Sequence, residues 1–312
     1  MSYYMAEING TKQWLQTIGQ ETLPTLLFLH GGPGTPSMSL FKKFSAPLFK
    51  MFHVVLWDQR GTGRSYNKDL DPKSLTLNQI LADAIVVTEH IRHLYKKDKI
   101  YLMGHSFGAT LGLKLIDARP EYYQAYFGIS QFINATENEK SSYDWLYKTA
   151  TERNDFKALR ILDKTKAPVD GFYMGGLKDT IKVKQLVTKY KGDMQSGMNT
   201  FGILASLLFS KEYGFLRFPN AIKGIQMSLN TIGYSLKGIN YKISIPEVKV
   251  PVYFFSGKYD QLTPQHILHD YFKTLKAPKK ELYIFEQSAH SPLWEEADKF
   301  HGIIDNILQQ AS

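Results

Sequence analysis

The stretch Ile100-Tyr101-Leu102-Met103-Gly104-His105-Ser106-Phe107-Gly108-Ala109-Thr110-Leu111 decides how the rest of the chain is read. An apolar run of strand length, Ile100 to Met103, ends at Gly104, and a helical pattern runs from Ala109 to Asp117 until Pro120 stops it. Between the two, Gly104-His105-Ser106-Phe107-Gly108 puts a serine at the apex of a sharp turn. Such a serine sits in strained backbone, and side chains at Gly104 or Gly108 would collide where strand and helix approach each other. The five-residue G-x-S-x-G pattern also recurs in ordinary glycine-flanked turns. The strand before it and the helix after it are what mark Ser106 as an expected nucleophile.

Working outward, the same alternation repeats on both sides. Leu26 to Leu29 and Val54 to Trp57 read as strands, and Tyr126 to Ile129 as a further one. A helix is predicted from about Thr76, where Thr76 and Gln79 have capping-box spacing, through Ile80, Ala84, Val87 and Ile91. From Gln131 to Glu247 the strand signal ceases and the pattern is helical and polar, with breaks at Pro168, Gly175, Gly176 and around Gly192 to Gly202. Strand signals resume at Val252 to Phe255 and Leu282 to Phe285, with helices after Pro264 and from about Leu293 to Leu308. Strands alternating with helices specify an α/β protein with a mostly parallel central sheet flanked by helices. The expected organisation is a core of residues 1–130 and 248–312 with a helical cap, residues 131–247, inserted between its halves.

A serine hydroxyl needs a base to take its proton and a carboxylate to orient that base, in the chain order serine, acid, histidine for this motif. Asp260, in Gly257-Lys258-Tyr259-Asp260, follows the strand at Val252 to Phe255. His290, in Ser288-Ala289-His290-Ser291-Pro292, follows the strand at Leu282 to Phe285. Loops at the carboxyl ends of parallel strands face one common crevice, which favours this pair. Asp270, His266 and His269 compete for the same roles, yet they fall on the helix after Pro264 and are expected at its surface. His30-Gly31-Gly32-Pro33-Gly34 directly follows a strand, so the amides of Gly32 and Phe107 are the expected oxyanion donors, and His30 is expected to organise the loop by hydrogen bonding. Asp58 and Arg60, in Asp58-Gln59-Arg60-Gly61-Thr62-Gly63-Arg64-Ser65, are expected to form an ion-paired scaffold behind that loop.

Composition narrows the alternatives. With 312 residues and 43% hydrophobic content the chain can bury a large core, and with no cysteine it has neither disulfides nor thiolate chemistry. No metal or other cofactor is called for. The net charge of +9 is spread along the chain, with small clusters at Lys96 to Lys99 and Lys276 to Lys280, so no nucleic-acid partner is expected. Met1 to Gly10 lacks the pattern of a secretory signal and Phe201 to Phe209 is too short to span a bilayer; a cytoplasmic protein without a membrane anchor is the expectation. The partner to be sought is a small-molecule or short-peptide substrate.

His30 to Gly34 together with Asp58 to Ser65 resembles the proline iminopeptidase (prolyl aminopeptidase) branch of the α/β-hydrolases. The resemblance covers about the first 130 and the last 65 residues, in the same order and with a helical cap between them. It implies an α/β-hydrolase fold and a metal-free exopeptidase releasing an N-terminal proline through an acyl-enzyme. Ser106, Asp260 and His290 would be catalytic, and acidic cap residues would grip the free amine of the substrate. Two departures stand out. The elbow reads Gly-His-Ser-Phe-Gly, a form common among esterases, where many members carry Gly-Gly-Ser-Trp-Gly. The Trp-Glu and Glu-Asn-His-Tyr segments that bear amine-binding glutamates in some members do not align here. Glu137, Glu139, Asp144 and Glu212 are available, and each is read as a solvated helix-face charge. Trp145, Phe172, Tyr173 and Phe201 are read as core packing that could also shape an apolar pocket. A carboxylesterase, a lactonase or another amide hydrolase is the competing reading. A non-catalytic binding protein on the same fold is a third.

Overall fold

The computed structural model describes residues 1–196 and 200–311, leaving aside the side chains of residues 200, 201, 234 and 311. Eight strands form one sheet in the order β1-β2-β4-β3-β5-β6-β7-β8: β1 (Ser2–Ile8), β2 (Thr11–Ile18), β3 (Thr25–Leu29), β4 (His53–Asp58), β5 (Ile100–His105), β6 (Tyr123–Ile129), β7 (Val252–Gly257) and β8 (Lys280–Phe285). From β4 to β8 neighbours in the sheet run parallel; β1 and β2 are antiparallel to each other, and β2 is antiparallel to β4. The β1–β2 hairpin turns at Asn9-Gly10, both with positive φ (45° and 75°), as a two-residue loop of right-twisting strands requires.

The central strands are apolar throughout because both faces are covered. In β3, Leu27 and Leu29 enter one core layer while Leu26 and Phe28 enter the other, and in β4 Val55 and Trp57 oppose Val54 and Leu56 in the same way. The first layer packs under α3 (Leu77–Leu94), α4 (Phe107–Ala118) and α11 (Gln265–Thr274). The second packs under α1 (Met38–Phe44), α2 (Leu48–Met51), α12 (Pro292–Glu295) and α13 (Ala297–Ala311). Thr76 caps α3 as its spacing predicts, its hydroxyl accepting from the Gln79 amide at 3.1 Å. Two helices differ from expectation. α4 starts at Phe107, directly after the elbow serine, and the terminal helix is two helices that part at Glu296.

Between β6 and β7 the chain forms α5 (Ala135–Glu152), α6 (Phe156–Thr165), α7 (Leu177–Lys189), α8 (Thr200–Leu208), α9 (Gly214–Ser235) and α10 (Tyr241–Ser244). α5, α6 and α7 enclose an apolar cluster of their own, which includes Tyr143, Leu146, Leu162 and Val187. The end of this stretch packs differently: Ile232, Tyr241 and Ile245 join the core layer under the sheet. Among the described residues, no helix is long and apolar enough to cross a membrane.

Candidate active site

β5 ends in the elbow. Ser106 has φ 57° and ψ −116° and is the N-cap of α4, a conformation that places its side chain above the sheet edge. The flanking glycines are obligatory for steric reasons. A Cβ on Gly108 would strike the Leu29 carbonyl oxygen, and one on Gly104 would strike the Gly108 carbonyl. Gly31 brings the loop after β3 against the elbow, since its Cβ would lie 3.2 Å from Ser106 Cβ. Gly32, with φ 124°, would press a Cβ to 2.6 Å from the amides of Gly34 and Thr35. The Phe107 amide opens α4 and therefore has no carbonyl one turn back to bond.

His290 and Asp260, on the turns after β8 and β7, meet at Ser106. The Ser106 Oγ lies 2.8 Å from His290 Nε2, and His290 Nδ1 lies 2.8 Å from Asp260 Oδ2. Asp260 is fully buried, and its oxygens also accept from the Leu262 amide (2.8 Å), the Thr263 amide (2.8 Å) and the Thr263 hydroxyl (2.7 Å). Burial alone would push its carboxyl up. The facing imidazole and these hydrogen bonds outweigh that and hold it below the ordinary carboxylate range. Asp270, His266 and His269 stand on α11 away from this cluster, Asp270 in an exposed pair with Lys273.

The loops behind the site are stiffened by buried polar groups. The Gln59 amide donates to His30 Nε2 at 3.3 Å, which leaves Nδ1 to donate to the Gly31 carbonyl at 2.9 Å. Burial pushes the His30 imidazole down to about 4, so it stays neutral. Asp58 and Arg60 do form a scaffold, but not with each other. Arg60 pairs with Asp83 (2.6 Å), which Asn9, Gln13 and Gln79 also bond, while Asp58 accepts from the Arg64 amide (2.8 Å) and the Tyr213 hydroxyl (2.7 Å). Asp83 is far from the motif in sequence, and nothing in its surroundings announces the pairing. Buried with few charges to compensate it, the Asp58 carboxyl is pushed up to about 7.

Ser106, His290 and Gly32 open on a cavity of about 550 Å³, a size that suits a small ligand. Phe132, Phe172, Leu229 and Leu236 give it an apolar wall, and Glu139 and Lys184 a charged one. The α/β-hydrolase fold profile matches residues 24–297. The chain belongs to the α/β-hydrolase fold family. A Bacillus subtilis relative named "Probable aminopeptidase YbaC" is 33% identical over 94% of this α/β-hydrolase and 92% of its own length. The proline iminopeptidase of Heyndrickxia coagulans is 24% identical over 91% of this chain and 90% of its own. The crystal structure of proline iminopeptidase from Mycobacterium smegmatis superposes with a TM-score of 0.72 over 99% of this chain and 98% of that one. At 16% identity this is a likeness of fold. The resemblance read from the two glycine-rich motifs is met at this level.

The cap charges of this α/β-hydrolase correct the sequence reading. Asp144 is a solvent-facing charge paired with Lys140, and Glu137 pairs with Lys242. Glu212 is instead buried at 7% exposure and paired with Lys42, and Glu139, 15% exposed, faces the cavity with both oxygens on Lys184 Nζ (2.8 and 2.9 Å). Phe172 and Tyr173 line the cavity, Trp145 packs on Tyr190 outside it, and the Phe201 side chain lies outside the described residues. Sequence reasoning passed over His105, whose Nε2 lies 2.9 Å from the His290 carbonyl. It also passed over Thr263, although a threonine three residues after an aspartate is a recognisable local hydrogen-bonding pattern.

Proposed function

We propose that the protein is a serine hydrolase working through an acyl-enzyme, and that its substrates are small molecules or short peptides with a free amine beside the scissile carbonyl. The reading rests on one observation above all: the unbroken line from Ser106 Oγ through His290 to Asp260, with both links at 2.8 Å, at the wall of a cavity of about 550 Å³. His290 Nε2 takes the serine proton as Oγ attacks the carbonyl carbon. Asp260, held ionised by its four donors, keeps the proton of the imidazole on Nδ1 and stabilises the cation that forms. The Gly32 and Phe107 amides receive the negative oxygen of the tetrahedral intermediate, and each such donor contributes about 2.7–4 kcal/mol to lowering the barrier. Collapse returns the proton from Nε2 to the leaving amine. Water then repeats the sequence on the acyl-enzyme, which frees the acid and restores Ser106.

Aminopeptidase activity, with N-terminal proline or another small residue as the acyl part, is supported by the names of the relatives and by Glu139. That carboxylate is the one among the four cap acids considered that faces the cavity, where a substrate ammonium can share it with Lys184. We assign residues 1–130 and 248–312 to the catalytic core and 131–247 to a cap that selects the substrate. A carboxylesterase or lactonase is the second reading, favoured by the same pair: Glu139 already has a cation, and Phe132, Phe172, Leu229 and Leu236 make much of the lining apolar.

Initial rates on proline, alanine and leucine p-nitroanilides beside short-chain p-nitrophenyl esters separate the two, with Ser106→Ala as background. Anilide release that N-acylation of the substrate abolishes is the expected result. Ester turnover without anilide turnover would replace the aminopeptidase by an esterase.

A further inference from the structure

Glu295 lies on α12, five residues after His290, and plays no part in the chemistry described above. Its two carboxylate oxygens point in different directions. Oε1 accepts from the amides of Ala289 (3.0 Å) and Ser291 (3.3 Å), the residues on either side of His290. Oε2 accepts from the amides of Gln195 (2.6 Å) and Ser196 (3.1 Å), in the segment that follows α7. The same segment bonds His290 itself, whose amide donates to the Asp193 carbonyl at 3.0 Å. Three successive amides, 289 to 291, are therefore all held, two by Glu295 and the middle one by the chain that Glu295 also holds.

The segment reaches the other partner as well. The Gly192 carbonyl accepts from the amide of Gln261, the residue after Asp260, at 2.8 Å. Gly192 can approach so closely because a Cβ there would lie 2.8 Å from Gln261 Cβ and 2.9 Å from the Trp145 ring. Upstream, α7 carries Lys184 and Thr188 on the cavity wall, and the Thr188 hydroxyl donates to the Asp193 carboxylate at 2.5 Å. Hydrogen bonds thus link the end of α7 to the loops of both Asp260 and His290, and Glu295 bonds both the His290 loop and the segment that follows α7. Bonds to a carboxylate are stronger than those between neutral groups, so this junction is a firm one.

We propose that Glu295 is a positioning residue, which holds the His290 imidazole in line with Ser106 and makes that placement depend on the segment 191–196. The proposal rests on the reading of Ser106, His290 and Asp260 as the catalytic triad. Its weight comes from geometry: a displacement of about 1 Å in a reacting group lowers a rate by about 100-fold. Gln at this position keeps one accepting oxygen and loses the other, so it releases one end of the junction, whereas Ala releases both.

The test compares wild type, Glu295→Gln and Glu295→Ala, using fluorophosphonate labelling of Ser106 across pH and kcat and KM on a p-nitrophenyl ester. The labelling rate and kcat are expected to fall by about 10-fold in the Gln variant and about 100-fold in the Ala variant, with KM little changed and the fold intact by circular dichroism. A folded Ala variant that labels and turns over like wild type overturns the proposal. A wild-type protein that does not label at all removes instead the serine-hydrolase reading beneath it. Hydrogen exchange on the wild type needs no variant to fold: the amides of 195, 196 and 289 to 291 should open together as one unit. Independent opening rates for the two segments would also overturn the proposal.

Discussion

On one wall Ser106 and His290 line the cavity with the buried Asp260 behind them, on turns that leave β5, β8 and β7. Ser106 is bonded to the neighbouring strand and Asp260 to residues two and three positions on, while the His290 amide reaches Asp193 in the segment after α7. On the other wall Glu139 and Lys184 reach each other from α5 and α7, 45 residues apart in the chain. The first wall is built from strand ends whose directions the sheet dictates. The second depends on how helices with a separate apolar cluster pack together. In the proposed mechanism the chemistry sits on the first and selection of the substrate on the second.

The contrast predicts that damage to the core wall affects all substrates alike. Ser106→Ala or His290→Ala should lower kcat on every substrate by about 10⁴-fold or more, measured against the same ester and anilide series. A variant that loses one substrate class and keeps the other would break the division. Next in size is a stability difference between glycines of the two regions. Gly108→Val should destabilise by about 3 kcal/mol or more, because its side chain meets the Leu29 and His30 carbonyls. Gly233→Ala, in α9 with open space around it, should be neutral or stabilising by up to ~1 kcal/mol, with thermal melts as the readout.

The buried groups of the core wall should also shape the response to acid. His30 and His105 are lowered by burial to about 4 and about 3, against an unfolded value near ~6.5. The unfolded chain therefore binds more protons, and stability present above pH ~6.5 is lost as pH falls toward 4, at up to about 1.4 kcal/mol per pH unit for each histidine. Asp58, raised to about 7, works the other way: it takes up a proton in the folded state and so loses stability as pH rises through the same window. Asp58→Asn should thus steepen the acid limb of Tm against pH, and His105→Asn should flatten it. An acid limb indifferent to both would show that these groups do not remain buried.

Smaller effects belong to the cap. Glu139→Gln should raise KM for amine-bearing substrates by about 10- to 100-fold, as the loss of one charged hydrogen bond implies, and move ester KM far less. Equal effects on both would mean that Glu139 maintains the cap and does not read the amine. Lys140→Ala, which breaks an exposed pair with Asp144 on the outer face of α5, should change stability by less than ~0.5 kcal/mol and leave kinetics alone.

Much of the core was legible because its signals are local. Apolar runs buried on both faces, the glycines of the elbow and the Thr76 cap each depend on residues within a few positions, and the loops after parallel strands share one edge by construction. The Asn9-Gly10 hairpin carried a comparable local signal that the reading from Leu26 onward left unused. Tertiary structure alone decided which of four cap acids faces the cavity, that Arg60 pairs with Asp83 and Asp58 with Tyr213, and that Glu295 bridges His290 to the segment after α7. These contacts join residues tens to more than a hundred positions apart. A charge on a helix looks the same in sequence whether its neighbour is water or a lysine from another helix, and only the packing of the helices brings that neighbour into place.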